Sequence, residues 1–403
     1  MFPPPFPPAH RVALQLAAAL ALMSGLAVQA APFTPASDAE VVERLPAGDP
    51  ALQRAESLRR QVAAQPRNTA LRTEVARRYF DLAQAQGDPR YVGYAMGVLA
   101  PLKASPPASA GYWFVRGLLE QYQHDFDAAL ASLARAAQLD PRSPEPLAWR
   151  AAIFMVLARY PEALDECQRL APLADPLWTT GCRAYARAAT GALQPAYDAL
   201  LKALAESHGE APPALQLWVL TRLAEMAQRL DLPAQAELHF QQAQALQLAD
   251  QFLLASHADF LLAQGRPAEV LTLLAGWERS DVLLLRLALA AHASGDPRAR
   301  DWTRLLRERF EAARQRGDRL HEYEAARFEL DIETRPERAL RLAASNYIAQ
   351  REPRDALILM RAALAAKQPA TAAPALAWLQ ASRYQDPVLT SLADRLQAAE
   401  VRR

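Results

Sequence analysis

The sequence predicts an all-α protein, an α-solenoid of stacked antiparallel helix pairs. Ala, Leu, Arg, Gln and Glu dominate its 403 residues, and these are good helix formers. Few stretches show the β-branched alternation of a strand. Above all, one pattern recurs every 34 residues, with Ala95, Ala129 and Ala163 in step. Ala83, Gly117 and Ala151 keep the same interval, as do Val92, Phe126 and Tyr160, and Leu99, Leu133 and Cys167. A unit of this length is one supersecondary element that cannot bury its apolar stripe alone, so copies must stack.

The elements follow in order. Residues 1–30 carry His10 and Arg11 before an apolar run from Val12 to Val28, and Val28-Gln29-Ala30 offers small residues for cleavage between Ala30 and Ala31. This reads as a signal peptide and predicts a periplasmic or secreted product. An uncleaved anchor is the competing reading, because the run approaches the lower limit for a membrane span. Residues 31–66 form a Pro- and Ala-rich leader and a first helix over Ala51–Ala64, closed by Gln65-Pro66. An N-terminal array covers 67–206, with breakers at Gly87-Asp88-Pro89, Asp140-Pro141 and Asp175-Pro176. The register slips at a His-Gly-Glu-Ala-Pro-Pro insertion, residues 207–213. A degenerate array over 214–400 then recovers the interval at Ala224/Ala258, Pro233/Pro267 and Ala339/Ala373. An atypical, charged unit around Asp301–Asp318 is expected to have a lengthened first helix.

The columns have a physical logic. Small residues at 83, 117 and 151 fit where the two helices of a hairpin cross. Bulky ones such as Phe126, Tyr160, Leu133 and Phe240 fill the space between hairpins. Cys167 falls on the second helix of one unit and Cys182 on the first helix of the next. In an oxidising compartment this pair suggests a stapling disulfide; the competing reading is two buried free thiols that act as small hydrophobes.

The unit from Trp113 to Pro141 resembles a tetratricopeptide repeat. Trp113, Gly117, Phe126, Ala129, Leu133, Ala136 and Pro141 match that family's signature in type and spacing. The next unit departs from it, with Leu147 for the tryptophan and Cys167 for the bulky second-helix residue. The resemblance spans Asn68 to Gln397 and implies a right-handed superhelix whose first helices line a concave groove. Carried over by phase, the groove residues are Phe114, Leu118, Gln121, Ala152, Met155 and Tyr185. Further along they are Trp218, Thr221, Glu225, Gln228, Phe252, Asp259, Glu324 and Phe328. Such residues suit a protein or peptide partner, although for any single aromatic packing between hairpins is the stronger reading. The family's carboxylate clamp is not supported: Arg77 fits, but Gly111 and Glu145 stand at the equivalent phase.

Chemistry is sparse. The seven histidines are scattered, and no metal-ligating set, nucleophile elbow or phosphate loop is present in the sequence. No cofactor or catalytic residue is therefore expected. Removing residues 1–30 takes away Arg11 and leaves equal numbers of basic and acidic side chains, which gives no reason to expect nucleic acid. Without that segment no stable membrane insertion is expected. Two functional readings stand: a non-enzymatic periplasmic scaffold or assembly factor, and an accessory or hydrolytic superhelical protein acting on cell-wall glycan, which needs a carboxylate pair in a cleft.

Overall fold

The computed structural model describes residues 50–401; the expected signal peptide, its cleavage point and the leader up to residue 49 lie outside the described residues. Within these residues there are twenty α-helices and no strand. A first helix α1 (Pro50–Ala64) precedes eight hairpins. These are α2–α3 (Thr69–Gln86, Arg90–Leu99), α4–α5 (Ala110–Tyr122, Phe126–Leu139), α6–α7 (Glu145–Val156, Tyr160–Leu170) and α8–α9 (Pro176–Ala188, Leu193–Glu206). They continue as α10–α11 (Pro213–Arg229, Pro233–Ala245), α12–α13 (Gln251–Ala263, Pro267–Leu273), α14–α15 (Asp281–Ser294, Ala299–Gln315) and α16–α17 (Glu322–Asp331, Pro336–Ala349). A last unit holds α18 (Pro353–Ala365), α19 (Ala373–Ser382) and α20 (Pro387–Val401).

The helix starts follow from local chemistry. Pro176, Pro213, Pro233, Pro267, Pro336, Pro353 and Pro387 each open a helix, where a missing N–H costs nothing. Asn68, Ser109, Asp125, Asp250 and Ser280 each accept the N–H of the residue three further on, which satisfies an orphan donor of the first turn. The crossing column is equally clear. A Cβ on Gly117 would lie 2.7 Å from Leu133 Cγ, so any side chain there pushes α4 off α5. One expectation fails: the long helix of the charged unit, α15, is the second of its hairpin, not the first.

Consecutive hairpins are stapled once. Cys167 of α7 and Cys182 of α8 form a disulfide with their Cα atoms 5.6 Å apart. The 207–213 insertion is a connection between hairpins, tied down where the Gln216 amide donates to the Gly209 and Ala211 carbonyls at 3.1 and 2.6 Å.

The first helices α2, α4, α6, α8, α10, α12, α14, α16 and α18 form a continuous row, each touching the next. That row does not stay open. Helix α12 also touches α2, and the final helices return to the early hairpins. Arg351 N–H donates to the Val156 carbonyl at 2.8 Å, and the Gln350 amide meets His124 Nδ1 at 3.1 Å. Leu193 N–H donates to the Gln385 side-chain oxygen at 2.9 Å. The hydrophobic cores reflect this closure. One joins residues of α1–α7, with Ala186 and Ala189 at the end of α8, to residues of α16–α20; the other is built almost wholly from α8–α15. The cores therefore do not divide at the 207–213 loop. No helix among the described residues is long and apolar enough to cross a membrane.

Candidate functional site: an interior cavity

The row of first helices lines a half-open cavity of about 610 Å³. Successive helices contribute to it in turn: Met155 from α6, Tyr185 from α8, Glu225 and Gln228 from α10, Asp259 from α12, Arg286 from α14 and Tyr323 from α16. The returning segment closes the circle with Glu352, Arg354, Tyr384 and Val388. Phe252 and Val388 lie at an exposed rim. The volume falls in the range that small ligands and short segments occupy.

The wall is charged and aromatic, and almost every charge is answered. Asp259 accepts from Arg286 at 2.7 Å and from Arg327 at 2.8 Å. Burial raises its pKa, but the two guanidinium groups outweigh this and hold it at about 2. Glu324, close behind, is buried; His321 at 3.8 Å and Arg286 at 3.9 Å overcome its burial and also hold it at about 2. Arg354 pairs with Glu352 at 2.7 Å and lies 5.1 Å from the Tyr323 ring centre. The Arg222 guanidinium lies 4.7 Å from the ring centre of Tyr185 and 4.2 Å from that of Phe252, and pairs with Glu225 at 2.8 Å. Burial raises the Glu225 pKa in spite of that arginine. Burial also pushes the Tyr185 hydroxyl up to about 12.

Of the residues placed by phase on the inner face, Met155, Tyr185, Glu225, Gln228, Phe252 and Asp259 meet in this cavity. The others do not. Leu118 is wholly buried in the core shared with α16–α20, and Phe114 is buried there too, with Arg77 5.1 Å from its ring centre. The returning helices occupy the space an open groove would have left to a partner. Trp218 packs on Gly181, where even a Cβ would collide with the indole. Gln121 is half-buried and outside the cavity wall, and Ala152 is exposed elsewhere. Thr221 turns inward to donate to the Leu217 carbonyl at 2.8 Å, and Phe328 is core. Arg77 is already paired, to Asp81 at 2.9 Å and Glu145 at 3.3 Å.

Sequence reasoning missed Arg222, Arg229, Arg286, Tyr323 and Arg354 as cavity residues. A signal existed in the spacing: Arg222 and Glu225 stand three apart on one helix, and Arg354 follows Glu352 by two. No group of three or more His, Cys, Asp or Glu is placed to hold a metal among the described residues.

No protein-family model matches the chain, and no curated protein matches its sequence. Several solved structures are similar in backbone. A human IFIT1 dimer with m7Gppp-AAAA is 15% identical, with 87% of this chain and 86% of that chain covered and a TM-score of 0.45. Yeast Tom70 is 14% identical over 87% of this chain and 86% of that one, with a TM-score of 0.41. The Cut9 structure of an APC/C hetero-tetramer with Hcn1 is 12% identical; the match covers 86% of this chain but only 52% of that one, with a TM-score of 0.39. Likenesses this weak say nothing about what the chain does.

Proposed function

We propose that this chain is a non-enzymatic interaction scaffold of an exported compartment, and that it receives a short segment of a partner protein in its interior cavity. The convergence of seven consecutive first helices on one lined space carries the reading. A stacked array that served only as a spacer would have no reason to keep a polar, aromatic space of about 610 Å³ open. The exposed rim residues Phe252 and Val388 mark where a segment would enter. The glycan-hydrolase reading comes second: Glu225 and Glu352 line the cavity and burial raises the Glu225 pKa as such an acid requires, but both are held by arginines.

The test replaces Gln228 with a photo-crosslinking amino acid in cells producing the full chain, with exposed Leu238 as the control position. The reading expects a discrete peptide adduct at position 228 that position 238 does not give. Equal labelling at both positions, or none at 228, overturns it. Mass spectrometry of the same material reports whether the mature chain begins at Ala31.

A further inference from the structure

One stretch of the cavity wall is held differently on its two sides. The turn from Arg383 to Asp386 joins α19 to α20, and Tyr384, Asp386 and Val388 line the cavity. On the near side the turn is anchored by apolar packing. Both flanking helices pack on α18, and the Trp378 indole holds α19 to Tyr160. Leu389, Leu392 and Leu396 bury α20 in the core shared by the first and last helices. The turn is also tied to itself, since Asp386 accepts the Val388 and Leu389 N–H groups at 2.9 and 3.0 Å.

On the far side it meets the α8–α9 turn and the end of α10, which belong with the other core. The two turns touch: a Cβ on Gly191 would lie 3.2 Å from the Arg383 Cβ. The bonds across this seam are polar and centre on one residue. Gln385 accepts the Leu193 N–H on its side-chain oxygen at 2.9 Å and the Arg229 Nε–H on its carbonyl at 3.0 Å. The Arg229 guanidinium stands 3.7 Å from the Tyr384 ring centre, and its Nη2 donates to the Ala188 carbonyl at 2.6 Å. Gln385 and Val388 are exposed. Hydrogen bonds at an exposed residue exchange for water at small net cost, whereas the α20 leucines leave their core only at a large one. The wall can therefore part between Gln385 and Leu193 while α19 and α20 stay packed.

We infer that residues 383–388 are a gate to the cavity. The Gln385 latch releases from Leu193 and Arg229, the turn swings on its attachment to α18, and the gap beside α10 widens to admit a chain. Remaking the same contacts closes it. This goes beyond the scaffold reading, and its test needs no partner, so either can fail without the other.

Two measurements on the full chain test it. Hydrogen exchange reads the latch in the unaltered protein. The Leu193 N–H opens α9, where the helix supplies no acceptor, and Gln385 takes it. It is expected to exchange by a local opening that low urea barely changes. The Ala196 N–H, bonded to the Ala192 carbonyl at 3.0 Å, should need a larger unfolding. Thiol labelling reads the gate. Met155 lines the cavity at 8% exposure, and the two native cysteines are bridged, so Met155→Cys carries a single free thiol. A bulky polyethylene-glycol maleimide is expected to modify it far more slowly than the exposed Leu238→Cys. Adding Gln385→Ala should speed modification at position 155 about two- to tenfold, with little change in melting temperature. Gln216→Ala, which frees the 207–213 loop instead, should leave that rate unchanged. Leu193 exchange that follows global unfolding overturns the gate, as does modification at 155 as fast as at 238. No acceleration by Gln385→Ala, or an equal one by Gln216→Ala, overturns it too.

Discussion

Trp378 donates its indole N–H to the Tyr160 hydroxyl at 2.9 Å, across 218 positions of sequence. Both side chains are buried, and the bond ties α19 to the start of α7. Changing Trp378 to Phe leaves the Tyr160 hydroxyl without its donor and also removes packing. A loss of about 1–3 kcal/mol is expected from urea unfolding. The pairwise part should appear as coupling of about 1 kcal/mol in a cycle with Tyr160→Phe, whereas additive losses would mean that the bond contributes nothing.

The Cys167–Cys182 bridge closes a loop with a sequence separation of 15 between adjacent hairpins. A loop of that length is expected to contribute about 3 kcal/mol, chiefly by restricting the unfolded chain. The double serine variant should therefore unfold at lower urea, with an equal or steeper dependence on denaturant concentration because its unfolded chain exposes more surface. A reductant should lower the stability of the wild type and leave the variant where it is.

Asp259 neutralises Arg286, whose side chain is 2% exposed. Changing Asp259 to Asn leaves that guanidinium with only Glu324, 3.9 Å away, as a charged partner and removes the charge that also serves Arg327. Because Asp259 itself is 33% exposed, the expected loss is about 2 kcal/mol, below the full cost of breaking a buried pair. The pH dependence has a definite sign. The folded pKa is depressed to about 2, so the contribution is complete above the normal aspartate pKa and fades as pH falls toward 2. Acid titration of wild type against the variant reads this as two curves that converge at low pH.

Asp355 behaves in the opposite sense. It is wholly buried, accepts from Asn346 at 2.8 Å and from the Glu352 N–H at 3.0 Å, and burial pushes its pKa up to about 7. A raised folded pKa means the protonated acid is favoured in the fold. Its stabilising effect is complete below the normal aspartate pKa and is lost as pH rises through about 7. Between pH 5 and 7 the wild type should lose up to about 1 kcal/mol per pH unit relative to Asp355→Asn. Parallel stability curves for the two proteins would contradict this.

How much of this was legible in the sequence depends on range. The period fixed the hairpins because it records contacts inside one unit and between neighbours: Gly117 against Leu133 is such a contact, and so is the disulfide. Phase along the first helices also found part of the cavity wall, since Met155, Tyr185, Glu225, Gln228 and Asp259 line it. Closure was not legible. It depends on small rotations accumulated from hairpin to hairpin, and no residue spacing encodes their sum. Phe114 and Leu118 were therefore assigned to an open face, whereas the return of α16–α20 places them in the core. Arg354 was missed for the same reason, because its importance appears only once α18 has come round to face α10 and α12.

The contact between α2 and α12, with the return of the last helices onto the first, makes the number of hairpins a fixed dimension of the molecule. In an open array each repeat meets only its neighbours, so units can be added or lost with modest effect. Here the ends must find each other, and one unit more or fewer would carry Trp378 past Tyr160 and Arg354 past the cavity. The protein is a ring-like gauge: its repeats are counted, and deleting a whole hairpin should be less tolerated than disfiguring one in place.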